Sequence, residues 1–335
     1  MAEPLFLIGA GFNIDANALV DFSDIWKTGD DQGRRPNYPR ATDLAETCFT
    51  DCHCKTEDVE RAFTEAYLSK DDAPLKRLVK YIERADYYIG DRLACLARSP
   101  YHEFLDRFLS PNYLTYNYDA FLEILLNKMG RWHPHSGFGF PAELPFDDSP
   151  LSAPYEMSVP SPIAIVHLHG SLYFYPKYGI SEKGTGLETR HSNTEPIYTF
   201  DPHSIGKLFP GLRSIIPGLG YSWSHERFIP PLRHKRQVLE YQYYCALQRK
   251  ALGMAQKCSN IVAIGYSFAK SDCHSYSALL KQIFRDHKEL HIVSPDSAKV
   301  AQRLKTSYFT LSPKIKSSAM TFAQWVEAGY PKGSQ

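Results

Sequence analysis

The sequence predicts an α/β fold: a Rossmann-like parallel sheet with helices on both faces and a helical insertion. Three observations predict it. Short continuous apolar runs at residues 4–8, 112–116, 163–169 and 260–265 have the form of strands buried on both faces, as parallel strands are. Each run ends at a glycine or a polar turn. Between the runs lie stretches whose apolar residues recur at three-to-four spacing, the period of helices that cover a sheet.

In order, Pro4-Leu5-Phe6-Leu7-Ile8 enters the turn Gly9-Ala10-Gly11-Phe12 and reads as the first strand. Helical spacing follows at residues 58–66, 75–85 and 89–97, and a further helix opens at Pro100 and stops before Pro111. This helical block precedes the second strand at 112–116, so it reads as an insertion over the sheet. Residues 119–129 form a helix with Phe121, Leu122, Leu125 and Leu126 on one side. The Pro-, Gly- and Ser-rich stretch 132–162 reads as irregular, and 163–169 as the next strand. Residues 227–231 suggest a short strand stopped by prolines. A helix at 237–255, a strand at 260–265, a helix at 275–286 and a strand at 290–293 complete the alternation. The expected organisation is a single domain over 1–335, with the helical insertion at about 17–110 and an irregular loop region at about 172–225.

Composition narrows the function classes. The 38 Lys and Arg nearly cancel the 37 Asp and Glu, so no general attraction to nucleic acid or acidic membranes is expected. No run approaches the roughly 20 apolar residues that a spanning helix needs. Seven irregularly spaced cysteines without a secretory signal point to reduced thiols in a cytoplasmic protein. Cys48, Cys52, His53 and Cys54 form a metal-like cluster, but it lacks the second, well-separated pair usual for structural zinc. His133-Pro134-His135 sits among loop residues. No metal is expected.

Four segments carry the candidate chemistry. Gly9-Ala10-Gly11 follows a strand and can bring backbone N–H groups close to a diphosphate, although a simple tight turn explains it equally. The third glycine of a dinucleotide fingerprint is replaced by Ile14, and no helix is expected at Phe12. Thr115-Tyr116-Asn117-Tyr118-Asp119 sets an amide and a carboxylate two residues apart beyond a strand. Asn117 can hold a ribose hydroxyl or a water through donor and acceptor together, while Asp119 is also a candidate helix cap. His169 precedes Gly170, which permits close approach of a ligand, and Ser171, which offers a donor. A satisfied core histidine is the rival reading, and His167, two residues earlier on the same strand face, is the rival residue. Gly265-Tyr266-Ser267-Phe268 repeats the strand-then-glycine arrangement and suits phosphate or ribose. Four strand-end loops of this kind suggest one nucleotide site.

Taken in order, Gly-Ala-Gly-Phe, Thr-x-Asn-x-Asp, His-Gly-Ser and Gly-Tyr-Ser-Phe resemble the nucleotide-site motifs of the sirtuin superfamily. Pro230-Pro231 followed by His234-Lys235-Arg236 resembles a segment of its prokaryotic sirtuin-like branch. By that resemblance, Gly9, Ala10, Gly11 and Phe12 would line the NAD diphosphate site, and Asn117 and Asp119 would lie near the nicotinamide ribose. His169 would be the catalytic histidine, Gly265 and Ser267 would contact the cofactor, and Ser294 and Asp296 would approach the adenosine end. The paired Cys-x-x-Cys motifs of sirtuin deacylases are missing, and Asn13-Ile14-Asp15 stands where their Phe-Arg pair usually does. Both departures argue against deacylation.

The chain is similar instead to sirtuin-like effectors of bacterial antiphage systems, which hydrolyse NAD. The resemblance therefore implies NAD+ as substrate, cleaved to nicotinamide and ADP-ribose, with Asn117 orienting water or a ribose hydroxyl and His169 acting as base. It also implies a gated activity, in a homo-oligomer or with a separate sensor such as a DNA-translocating ATPase or an Argonaute. A non-catalytic NAD or ADP-ribose binding module and a deacylase or ADP-ribosyltransferase remain the alternatives.

Overall fold

The computed structural model describes residues 3–21, 36–49, 58–108, 112–139, 142–143, 161–175, 178–180, 187–189, 197–199, 228–233, 235 and 242–331. Six strands form one sheet: β1 (Leu5–Ile8), β2 (Asn112–Thr115), β3 (Ile165–His167), β4 (Ile261–Ile264), β5 (Glu289–Val293) and β6 (Lys314–Ser318). Their spatial order is 3-2-1-4-5-6, and every neighbouring pair is parallel. This is a doubly wound, Rossmann-like order, whose direction reverses between β1 and β4. Ligands of such sheets bind at the carboxyl ends of the strands, near that reversal.

The register makes those ends level. Ile8 pairs with both Thr115 and Ile264, and Thr115 pairs with His167. The residues that follow each strand therefore emerge in one row along one edge.

Alternation along β1 splits its side chains between two cores. Phe6 and Ile8 face one, and Leu5 and Leu7 the other. On the Phe6 face pack α2 (Ala41–Cys48), α3 (Val59–Ser69), α4 (Ala73–Ala85), α5 (Asp91–Cys95), α6 (Pro100–Arg107) and α7 (Phe121–Lys128). The opposite face carries α8 (Gln242–Lys257), α9 (Cys273–Arg285) and α10 (Ser297–Ser307). The C-terminal helix α11 (Phe322–Glu327) returns to the first face, where Phe322 packs on Phe12, Tyr101 and Phe104.

Several expectations are corrected. A short helix α1 (Ala10–Ile14) opens directly after Gly9, where none was expected. The helices expected at 75–85 and 89–97 are one helical run, because a π-turn over Asp86–Gly90 joins α4 to α5. The extra backbone width there lets Asp86 sit fully buried. The irregular stretches contain paired segments: Ala142–Glu143, Phe174–Tyr175 and Ile197–Thr199 form a small sheet, and Tyr178–Ile180 pairs with Leu187–Thr189. Pairing between segments so distant in sequence leaves no local period to read. Of the strand expected at 227–231, a single antiparallel bridge of Phe228 to Gly170 is present. Among the described residues, no helix is long and apolar enough to cross a membrane.

Candidate active site

At the level edge, the loops after β1, β2, β3 and β4 surround a cavity of about 230 Å³. Ala10 and Asn13 contribute from the first loop, Asn117 and Asp119 from the second, His169 from the third, and Gly265, Ser267 and Asp272 from the fourth. Tyr38, Leu44, Glu60 and Ile82 of the helical insertion close the other side. The volume lies below the roughly 300–1,000 Å³ of sites that enclose a whole drug-sized ligand. It suits one half of a dinucleotide.

The glycine loops do something other than what was expected of them. Gly9 N–H donates to the Ile264 carbonyl at 3.0 Å, Gly11 N–H to Gly265 at 2.9 Å, and Phe12 N–H to Gly9 at 2.9 Å. These three donors are taken by backbone. The Phe12 ring is fully buried, edge-on to Tyr101 at 5.1 Å. The glycines are needed because the loops after β1 and β4 touch. A Cβ on Gly11 would stand 2.8 Å from Gly265 Cα, and Gly265 itself has φ +63°, where side chains are strained. Of the first motif, Ala10 lines the cavity.

Asn117 is held from three sides. Its N–H donates to Thr115 Oγ1 at 3.0 Å, its carbonyl meets His167 Nδ1 at 3.0 Å, and its Nδ2 donates to Asn13 Oδ1 at 3.3 Å. Thr115 and His167 thus fix the backbone, leaving the Asn117 side chain at the cavity wall. Asn13, only 2% exposed, also lines this wall, where its side-chain amide draws the Asp119 pKa down. Beside it lies Asp119, which accepts from Phe121 N–H at 3.2 Å at the start of α7. Burial pushes the Asp119 carboxyl up to about 6.

His167 and His169 part company, although two residues of strand would put them on one face. β3 ends at His167, and Gly170 takes φ +73° in the turn that follows. The two-residue alternation is broken there. His167 points into the Phe138 and Phe174 side and pairs with buried Glu123. Burial pulls its pKa down, but Glu123 and the Asn117 carbonyl outweigh that and raise it. His169 instead turns to the cavity, edge-on to Tyr116 at 4.7 Å. Its Nε2 is buried without a hydrogen-bond partner. Burial, helped by the Lys235 cation, lowers its pKa to about 3, against the opposite pull of Asp272. The resting imidazole is therefore neutral. Ser171, expected as a ligand donor, gives its hydroxyl to the Tyr118 carbonyl at 3.2 Å.

No family model and no curated protein matches the chain. Among solved structures, a SIR2 homologue in complex with NAD is similar to it over 97% of this chain and 87% of that one. The identity is 12% and the TM-score 0.41. A likeness this loose assigns nothing to individual residues.

The sequence carries no signal for Asn13 in the cavity wall, or for the pairing of Lys235 with Asp272, an aspartate that a loop entering a helix explains equally. Lys235 and Asp272, both buried, form an ion pair, and Tyr266 donates to the same carboxylate at 2.9 Å. Residues 37 apart carry no spacing signal for such a pair. Ser294 and Asp296 lie off the end of β5, beyond β4, and do not reach the cavity. Ser294 N–H donates to the Ser318 carbonyl at 3.2 Å, and Asp296 pairs with Lys299 in solvent. Among the described residues, no group of three or more His, Cys, Asp or Glu is placed to hold a metal ion. Cys52, His53, Cys54, His234, Arg236 and the side chain of His135 lie outside the described residues.

Proposed function

We propose that the chain hydrolyses NAD+ at the nicotinamide–ribose bond. The observation that carries this reading is the convergence of Asn117 and His169, from the ends of two different strands, on one buried cavity. There the histidine is neutral and its Nε2 is without a partner. The resemblance of the strand-end motifs supplies the substrate class.

The chemistry needs little from the protein beyond placement. A water oxygen bonds to C1′ of the ribose as the C1′–nitrogen bond breaks, and its electron pair leaves with nicotinamide. The pyridinium is already cationic, so its departure needs no general acid. The products are nicotinamide, ADP-ribose and one proton. Asn117, fixed at its backbone by Thr115 and His167, is suited to orient the water or a ribose hydroxyl. His169 is suited to accept a proton from either. Asp119 offers negative charge to an oxocarbenium-like state once ionised.

The wider proposal is a gated cytoplasmic effector that depletes NAD+ in antiphage defence. It would act as a homo-oligomer or with a separate sensor, and it would form one domain around the helical insertion. That part rests on the resemblance.

The test is nicotinamide release from NAD+ without any acceptor, for wild type, His169→Ala and Asn117→Ala. A general base contributes roughly 10²- to 10⁴-fold, so His169→Ala should lose at least about 100-fold, and Asn117→Ala should lose turnover through misplaced water or ribose. Release persisting in His169→Ala above a tenth of wild type would sink the assignment. Binding of NAD+ that His169→Ala leaves unchanged, by a wild type that releases nothing even with DNA and cell lysate added, would make the chain a binding module.

A further inference from the structure

We propose that Asp272 is the carboxylate that balances the charge of His169 when the imidazole is protonated, with Lys235 as its counter-ion in the resting state: a buried charge-balancing set that accommodates the proton. The inference rests on the reading of His169 as the base. Three contacts converge on one carboxylate. Lys235 Nζ holds Asp272 Oδ1, the Tyr266 hydroxyl donates to Oδ2 at 2.9 Å, and His169 Nε2 stands 3.8 Å from the same Oδ1 that Lys235 holds. All three ionisable members are more than nine-tenths buried.

The loop that presents Asp272 is itself braced. Arg303 of α10 donates to the Ser267 and Phe268 carbonyls at 2.7 and 2.8 Å, across a Phe268 held at φ +52°. Tyr266 stacks on Tyr116 at 4.3 Å, and Tyr116 in turn forms the wall against the His169 ring. A histidine, a carboxylate and a lysine are thus positioned by three separate segments that meet only here.

The arrangement answers a difficulty of the proposed mechanism. An imidazole held as low as about 3 is a poor proton acceptor, and an imidazolium buried without a partner is costly. In the resting state Lys235 balances Asp272, and His169 stays neutral. When a proton passes from the water or the ribose hydroxyl to the imidazole, the imidazolium forms within 4 Å of an ionised Asp272. Lys235 and Asp272 neither gain nor lose a proton, and the proton leaves to solvent with the products. The other titratable groups around the ring belong to the cavity walls. Among the described residues they are Asp119 and Tyr118 after β2, Tyr116 and Tyr266 beside the ring, and Tyr38 and Glu60 of the insertion.

The rival is a purely structural ion pair that ties residue 235 to the loop before α9. Two measurements on the full chain separate the readings. The first is nicotinamide release by Lys235→Met/Asp272→Asn, which removes both charges at similar volume and leaves no buried charge unpaired. We expect turnover to fall at least about tenfold, with KM for NAD+ changed less than about threefold. Wild-type turnover in this folded double variant would overturn the proposal.

The second reads the His169 imidazole by ¹⁵N NMR, assigned against His169→Ala, and needs no turnover. The wild-type ring should stay neutral from pH 5 to 8, Lys235→Met should bring its titration up into that window, and adding Asp272→Asn to Lys235→Met should take it down again. A ring unmoved by both substitutions would overturn the proposal. If the wild type releases no nicotinamide with or without added DNA and cell lysate, hydrolysis fails as a function, and the imidazole spectra still decide the partnership.

Discussion

A Cβ built on Gly9 meets the Gly265 carbonyl oxygen and Tyr266 Cα at 2.6 Å, and both of those are backbone atoms that cannot turn aside. Gly9→Ala should therefore cost about 1–3 kcal/mol or more, read as a lowered urea midpoint. Gly253 is the control. A Cβ there meets nothing within 4 Å in the body of α8, so Gly253→Ala should stabilise by about 0.5–1 kcal/mol. Equal effects of the two substitutions would mean that the strand-end loops separate freely. The same scale sets the pH dependence of turnover. His169, at about 3, gives no acid limb near the ordinary histidine value of about 6.5. Asp119 is protonated below about 6, so release should fall as pH drops through that value. The limb should vanish in Asp119→Asn, and its survival there would assign it to another group.

Between elements, Asp86 is the joint. Its carboxylate accepts from Tyr38 OH at 2.7 Å, from Ala120 N–H at 2.9 Å and from Tyr173 OH. It thereby ties the π-turn of the insertion to the start of α7, close to Asp119, and to the segment after β3. Removing three buried acceptor contacts leaves orphaned donors at about 1–3 kcal/mol each, so Asp86→Ala should lose roughly 3 kcal/mol or more. Asp86→Asn keeps an oxygen acceptor and should lose less. Burial and the neighbouring Asp119 raise the folded-state pKa of Asp86. A raised carboxyl stabilises the fold fully below its unfolded value, and that contribution is lost as pH rises through the folded value. The fall in urea midpoint from pH 5 to pH 8 should be steeper in wild type than in Asp86→Asn. Parallel slopes would mean that Asp86 does not titrate in that range.

The sequence makes these joints hard to see and the strands easy. A parallel strand buried on both faces is a short apolar run, and β1, β2, β3 and β4 were legible for that reason. β6, Lys314–Ser318, alternates charged and apolar residues at the edge of the sheet and gave no such run. Asn117 and His169 were legible because each follows a strand. Asn13 was hidden in a helix that the sequence did not announce. Asp86, Lys235 and Asp272 act through partners tens of residues away, which periodicity cannot encode.

For the whole molecule, the level strand ends and the insertion form two walls, and on the proposed function a dinucleotide would pass between them. Besides its apolar face in the core, α3 is tied across the cavity mouth by polar contacts: Arg233 N–H to Thr64 Oγ1 at 2.9 Å, Arg233 with Asp58, and Ser271 with Glu60. The Arg233 side chain is 48% exposed, and ion pairs of that kind contribute about 0.2–1 kcal/mol. On the proposed function, a cavity of about 230 Å³ takes one half of NAD+, and a competent state that holds more of it would have this wall parted. The apparent affinity then falls by the fraction of molecules that are parted. Arg233→Ala weakens the fastening without touching the Thr64 contact, which uses backbone. It should raise release at sub-saturating NAD+ by up to about fivefold, the equivalent of 1 kcal/mol, with saturated turnover unchanged. Lower release at sub-saturating NAD+ would show instead that the closed wall is the state that binds, and that the insertion grips the substrate rather than screening it.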